Sequence, residues 1–297
     1  MSKAKFLSMG YEPGSALTIK HQHVKYFPNP LHYHKELELA YIVEGFGTRY
    51  VGSSIKSYQK GDLVLVGEQL THVWMSDDIF YEDNELDTQA IVVKFLPDFA
   101  GKDFLRLPEA YGILKTLRDA SGGLRITGKA NELIGSILKE MLQQSPLEQI
   151  LSLMQILNVM SKTEEKFVLS NYDLHKSTNP KEKDRMNRII KHTTLNFRRS
   201  IPLEEIANIA NLSKSAFCRY FKNTVKKSYV EFLYEIRVEY ACKLLLEDDL
   251  GMTQICYESG FNNPSSFSQI FKRIKRVSPN KYRKNNSIIR KKEKQYS

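Results

Sequence analysis

The stretch LHYHKELELAYIVEG, residues 31–45, carries His32, His34 and Glu38, and His72 follows in GDLVLVGEQLTHVW. The first three are separated by even numbers of residues, so an unbroken strand would turn them to one face. Three imidazoles and a carboxylate converging inside a β-structure suit a divalent transition metal. The same groups suit a metal-free pocket for a small molecule, in which they hydrogen-bond or brace the walls. A third reading is a filled barrel that serves only dimerisation. Tyr33, Tyr41, Tyr50 and Trp74 share this stretch. They would offer stacking surfaces to a ligand, although single aromatics in a β-barrel more often belong to the core.

A second constellation lies near the C-terminus. ANLSKSAFCRYFKNTVKKSYVEFL (210–233) and GFNNPSSFSQIFKRIKRVSPNKYR (260–283) align without a gap at an offset of 50, pairing Phe217 with Phe267, Phe221 with Phe271, Lys222 with Lys272 and Ser228 with Ser278. Two aromatics four residues apart share one helical face and can enter a core. Ser215, Cys218, Arg219 and Lys222, or Ser265, Ser268, Gln269 and Lys272, are then left outside. Capping residues frame both helices: Ser213 before the first, Asn263 and Pro264 at the start of the second. Upstream, IPLEEIANIA places Pro202, Glu204 and Glu205 at a helix start, and MTQICYES ends at Gly260, suited to positive φ. Each copy reads as a helix-turn-helix with an exposed polar-basic face. The bland alternative is a helical repeat whose Lys and Arg merely solvate it.

The elements that must position these groups differ between the two halves. Residues 15–95 hold short runs rich in Val, Ile, Tyr and Leu, punctuated by Gly, Asn, Asp and Pro, which predicts an all-β barrel or sandwich. From about 102 to 172 the period becomes helical, with Leu147, Ile150, Leu151, Met154 and Leu157 as its clearest stripe. That stripe either packs on the barrel or pairs with a second subunit. HKSTNPKEKD (175–184) reads as a linker. The net charge of +10 divides into −3 for residues 1–180 and +13 for residues 181–297, so the basic half is the one expected to meet a polyanion. Cys218, Cys242 and Cys256 have no CxxC spacing and read as reduced thiols, not a disulfide frame or zinc site. The N-terminus lacks a signal-peptide core, and LEQILSLMQILNVM is too short and interrupted to span a bilayer. A cytoplasmic protein without a membrane segment is expected.

GFNNPSSFSQIFKRIKRVSPNKYR resembles the signature of the AraC/XylS transcriptional regulators through Gly260, Phe261, Phe267, Phe271, Lys272, Ser278, Pro279, Tyr282 and Arg283. LEEIA, LSKSAF, YFKN and RVEYACKLL extend the resemblance over about 100 residues. Where the family usually has Gly after each reading helix, this chain has Lys226 and Arg276. If those positions are left-handed, each costs about 1 kcal/mol. The resemblance implies that each reading helix enters a major groove, the two lying about 34 Å apart along double-stranded DNA. Ser215, Cys218, Arg219, Ser265, Ser268 and Gln269 are expected at base edges. Lys214, Lys222, Lys272, Arg273 and Arg283 are expected at phosphates.

Residues 31–45, completed by Gly45, also resemble the first motif of cupin barrels, and Gly61 and His72 resemble the second, with Gly67 and Gln69 replacing its usual Pro and Gly. Together the resemblances imply an α+β multidomain chain. It comprises a cupin-like effector-sensing β-barrel (1–125), a helical connector or dimerisation segment (126–174) and a linker (175–183). An all-α tandem helix-turn-helix domain (184–287) and a basic tail (288–297) follow. The effector pocket is expected from His32, His34, Glu38, Tyr41, His72 and Trp74, with no cofactor and no catalytic residue. The expected function is a regulator, of activator type, that acts as a homodimer with a small-molecule effector and RNA polymerase. The alternative is a metal-dependent cupin enzyme tethered to DNA through His32, His34, Glu38 and His72.

Overall fold

The computed structural model describes residues 15–170 and 180–285, apart from 30, 53, 83–84, 102 and 248–249. Two units result, Met1–Lys183 and Asp184–Ser297.

The first unit is built on strands β1 (Leu17–Val24), β2 (Leu37–Glu44), β3 (Gly47–Val51), β4 (Ser54–Tyr58), β5 (Leu63–Val66), β6 (His72–Ser76) and β7 (Thr88–Phe95). Helix α1 (Tyr111–Asp119), strand β8 (Leu124–Ile126), helices α2 (Gly128–Met141) and α3 (Pro146–Lys162) and strand β9 (Lys166–Val168) complete it. Hydrogen bonding joins the strands into a six-stranded antiparallel sheet, ordered β1-β7-β2-β5-β8-β9, and a three-stranded one, β4-β3-β6. Among the described residues the sheets do not close into one hydrogen-bonded barrel.

Strand periodicity decides what each face of the larger sheet does. Leu17, Leu37, Leu39, Ile91, Val93 and Phe95 point one way and join a core with α1, α2 and α3. Their neighbours face the other way in three cross-strand rows: Thr18–Lys94–Glu38, Lys20–Val92–Ala40 and Gln22–Ala90–Ile42. The first face holds the unit together; the second floors a pocket.

Residues 126–170 of the expected connector do not stand apart, and 171–174 lie outside the described residues. Ile134, Leu138 and Met141 of α2 and Leu153, Ile156, Leu157 and Met160 of α3 belong to the core of the sheet. Strands β8 and β9, too short to register as a period, bracket those helices and extend the sheet. The stripe read from the sequence is also rotated. Leu147 and Leu151 of that stripe are 67% and 57% exposed; Leu157 is buried as expected, but alongside Leu153, Ile156 and Met160, which the stripe did not include. Helix α3 is apolar around most of its girth, so two stripes fit the period and packing selects one. The expected linker is shortened as well: Pro180 opens α4 (Pro180–Asn196), while 175–179 and the tail 288–297 lie outside the described residues.

The second unit contains α5 (Leu203–Ile209), α6 (Lys214–Val225), α7 (Tyr229–Glu247), α8 (Met252–Glu258) and α9 (Pro264–Lys275), with 279–285 also helical. Phe217, Phe221, Phe267 and Phe271 are buried, each worth about 1.5–3 kcal/mol in transfer terms. Tyr229 meets Phe221 edge-on at 5.4 Å, and Tyr282 meets Phe271 edge-on at 5.6 Å.

The repeat is not gapless. Helices α6 and α9 are offset by 50 residues, but the turns before them are offset by 49. Leu212 N donates to Ala207 O as Phe261 N donates to Cys256 O, both at 3.0 Å. Asn211 (φ 54°) therefore corresponds to Gly260 (φ 82°), not Ala210 to Gly260, and the second turn carries one extra residue. Asn tolerates the left-handed region. Gly260 has a further constraint, because a Cβ there would come within 2.4 Å of Phe197 O.

Candidate functional site

In the first helix-turn-helix, Ser213 Oγ accepts from Ala216 N at 3.4 Å and opens α6. Asn263 Oδ1 opens α9 more firmly, accepting from Ser265 N at 2.8 Å and Ser266 N at 3.1 Å. With their aromatics turned inward, the helices expose Lys214, Ser215, Cys218, Arg219 and Lys222, and Ser265, Ser268, Gln269, Lys272 and Arg273. These are the side chains the sequence assigned to base edges and phosphates. Arg283 differs: its Nη2 donates to Leu250 O at 2.7 Å and it is half-buried, so it braces the turn before α8. The phosphate assignment for Arg283 is corrected on that ground.

Lys226 and Arg276, which end α6 and α9, are left-handed with φ 63° and 64°, the conformation that Gly would adopt at least cost. Helix α7 holds the frame around them. Arg237, buried on α7, donates to Phe197 O and Arg199 O, each at 2.8 Å, and ties down the chain after α4. Ser228 and Glu231 form a reciprocal cap at its start: Ser228 N donates to Glu231 Oε2 at 2.8 Å and Glu231 N to Ser228 Oγ at 3.2 Å.

In the first unit, His32, His34, Glu38 and His72 are all buried, and one potential donor atom from each lies within 4.8 Å of the others. They do not come from one unbroken strand. His32 sits in a separate segment bridged to His72 by paired backbone bonds of 3.1 and 2.9 Å, and β2 begins only at Leu37. His34 Nδ1 faces Glu36 O at 3.0 Å and His72 Nδ1 faces Leu70 O at 2.7 Å. Carbonyls accept only, so both rings carry hydrogen on Nδ1. Burial pushes the His34 imidazole below its ordinary value, toward the neutral form, despite its contact with Glu38. The Nε2 atoms face Glu38, 3.0 Å away for His34, within hydrogen-bonding distance, and 3.6 Å for His72.

Lys94 reaches the same carboxylate, its Nζ donating to Glu38 Oε2 at 2.9 Å. Burial pushes the Glu38 carboxyl up, but His72, His34 and Lys94 together outweigh it and hold it well below the carboxylate range. A divalent ion also fits this donor set, three imidazoles and a carboxylate with carbonyl-anchored rings. It would compete with the Lys94 ammonium for Glu38.

Beside the cluster opens a pocket that is partly open to solvent. Its floor is the three cross-strand rows, with Ala40 and Ala90 leaving room at the centre and Phe27 and Trp74 contributing to its lining. Of the expected pocket residues, His32, Glu38 and Trp74 line it, while His34 and His72 stand in the cluster. Tyr41 does not line it. It is three residues from Glu38, an odd separation that turns it to the opposite face, where its ring fills the space a Cβ on Gly135 of α2 would take. Lys20 and Lys94 were missed from sequence. The alternation in LTIKHQHV and TQAIVVKF marks them, since each falls on the face of its strand opposite the Leu, Ile and Val that pack on the helices.

Residues 206–285 match the family profile described as a helix-turn-helix domain. An uncharacterised HTH-type transcriptional regulator, YdeC, of Bacillus subtilis is 26% identical over 271 residues, 87% of each chain. The C-terminal unit carries an AraC-type helix-turn-helix domain. An uncharacterised HTH-type regulator of Haemophilus influenzae is 30% identical over 86 residues, so this chain covers only 29% of it. A solved ToxT variant from Vibrio cholerae is 16% identical, with 91% of this chain and 97% of that chain covered and a TM-score of 0.38. No helix among the described residues is long and apolar enough to cross a membrane.

Proposed function

We propose that this chain is a one-component transcriptional regulator in which a small molecule in the first unit's pocket alters how the AraC-type domain engages a promoter. One observation carries the DNA-binding part: α6 and α9 repeat at an offset of 50 and expose corresponding polar-basic faces. Arg219 suits guanine O6/N7 and Gln269 suits adenine N6/N7. For the sensing part, Lys20 and Lys94 outnumber Glu38 among the charged residues lining the pocket, which favours a small anionic effector. The coupling requires that the effector bind the DNA-competent arrangement with a different affinity from the other. Homodimerisation, with exposed Leu147 and Leu151 of α3 as apolar surface for a second subunit, and contact with RNA polymerase as an activator belong to the same proposal.

The test is a genome-wide footprint of the tagged protein in its native cells, followed by binding to recovered sites with and without candidate anionic metabolites. A compact asymmetric motif upstream of a few genes, with ligand-dependent affinity, is expected. Diffuse occupancy would overturn the promoter-specific part. A second reading, metal-dependent chemistry in the first unit, is favoured by the convergence of His32, His34, Glu38 and His72 within 4.8 Å. Elemental analysis of the purified chain, repeated on His72→Ala, separates it from the first: stoichiometric metal lost in the variant, together with turnover, would support the enzyme.

A further inference from the structure

Lys226 and Arg276 occupy one station in the two repeats, 50 residues apart, at the C-terminal caps of α6 and α9. Both have φ between 63° and 64°, both are exposed, and neither side chain has a hydrogen bond or ion pair among the described residues. Their sequence neighbours behave differently. Lys227 donates to both carboxylate oxygens of Glu235, at 2.8 and 2.6 Å, and Lys275 donates to Glu239 Oε1 at 2.6 Å. Each reading helix thus ends with one cation fixed against α7 and one cation held out.

A left-handed residue other than Gly or Asn is strained, and such strain persists where it serves a function or is offset by its surroundings. The helix dipole offers some offset, since it favours cations near a C-terminus. Lys222 and Lys272 already stand in those last turns, however, and draw the same benefit without strain. Position supplies the better reason. Residues 215, 219 and 222 follow the i, i+4, i+7 spacing of one helical stripe, as do 265, 269 and 272. Lys226 and Arg276 stand at the ends of the same two helices, four residues beyond Lys222 and Lys272.

We propose that Lys226 and Arg276 are paired phosphate clamps, each gripping the DNA backbone beside the groove its helix enters. This rests on the DNA-binding reading of α6 and α9. It also explains why the strain occurs twice, at the same station, with a positive charge both times.

The experiment uses the full chain and a mixed-sequence DNA duplex of about four helical turns, titrated from about 50 to about 200 mM salt. Each lost phosphate contact removes about 0.9 from the slope of log affinity against log salt, so the K226G/R276G double variant is expected to lose about 1.8. The same variant is expected to melt higher, by about 4 °C or more, because glycine relieves both caps. A weaker binder that is a more stable protein cannot be explained by unfolding. The charge-preserving K226R/R276K variant is expected to keep the wild-type slope, and K226N/R276N, which tolerates the left-handed backbone, is expected to behave like the glycine pair. An unchanged slope in the glycine variant, with the wild type binding normally, would overturn the clamps and leave the reading helices standing. A wild-type chain that binds no duplex at low salt would overturn both.

Discussion

Lys94 Nζ reaches Glu38 Oε2 at 2.9 Å across a directly paired rung of β7 and β2. Both side chains are largely removed from water, at 12% and 7% exposure, so neither charge is cheap to leave alone. Replacing Lys94 by Met takes its ammonium away from a buried carboxylate. The expected loss is about 3 kcal/mol, the low end for a broken buried pair because the pocket admits some water. Trp74, the chain's single tryptophan, lines the same pocket and reports the unfolding of this unit by its fluorescence. Adding Glu38→Gln to Lys94→Met should restore much of the loss. If Lys94→Met alone left the denaturation midpoint unmoved, the ammonium would not be what neutralises Glu38.

Asp62 anchors a second buried charge cluster. It accepts from Arg49 Nη1 and, at 3.0 Å, from Arg125 Nε. Arg49 is 1% exposed and burial pulls its guanidinium below the usual value, against the pull of Asp62. Arg125 is 43% exposed and can turn to solvent, whereas Arg49 cannot. Asp62→Ala is therefore expected to cost about 3–5 kcal/mol, chiefly from the Arg49 charge left buried. Arg125→Ala should cost about 1 kcal/mol or less. Urea denaturation followed at Trp74 ranks the two, and equal losses would contradict this division.

A pH dependence follows from Glu205 on α5. The Arg199 guanidinium, aided by His192, holds its carboxyl down to about 2, against an ordinary 4.5. Its oxygens lie 2.6 Å from His192 Nε2 and 2.9 and 2.5 Å from the two Arg199 Nη atoms. A depressed acid is protonated first in the unfolded chain, so its stabilisation is complete above pH 4.5 and fades as pH falls toward 2. Because these groups are partly exposed, the contribution is screened by solvent. Wild type and Glu205→Gln should differ in denaturation midpoint at pH 6 and converge as pH falls through this window. A gap that widened on acidification would reverse the assigned sign.

Much of this arrangement is legible in the sequence, and the reasons are local. The aromatics at i and i+4, the caps at Ser213 and Asn263 and the left-handed stations at Lys226 and Arg276 depend on a few neighbouring residues, so a repeated pattern exposes them. The one-residue slip before α9 is hidden because Asn211 and Gly260 reach the same backbone region by different means. The convergence of His32, His34, Glu38 and His72 is anticipated, but through a route that strand parity does not describe. Parity does explain the error at Tyr41, which an odd separation from Glu38 sends to the helix side. What sequence could not show is pairing at a distance. Lys94 opposite Glu38, Arg283 on Leu250 and the choice between two apolar stripes of α3 are all settled by tertiary contacts.

The two roles assigned on α6 can be separated by binding alone. Arg219 and Lys222 are both exposed and lie three residues apart on that helix. Arg219 is assigned to a base edge, where a bidentate contact discriminates; Lys222 is assigned to phosphate, where it does not. Arg219→Ala should weaken binding to a recovered site by about 1–3 kcal/mol and relax preference at one base step. Lys222→Ala should weaken cognate and scrambled duplexes alike and reduce the salt slope by about 0.9. Competition between a recovered site and its single-base variants reads both effects. Unchanged preference in Arg219→Ala, with altered preference in Lys222→Ala, would mean that α6 is rotated about its axis relative to this assignment, exchanging the reading and anchoring residues.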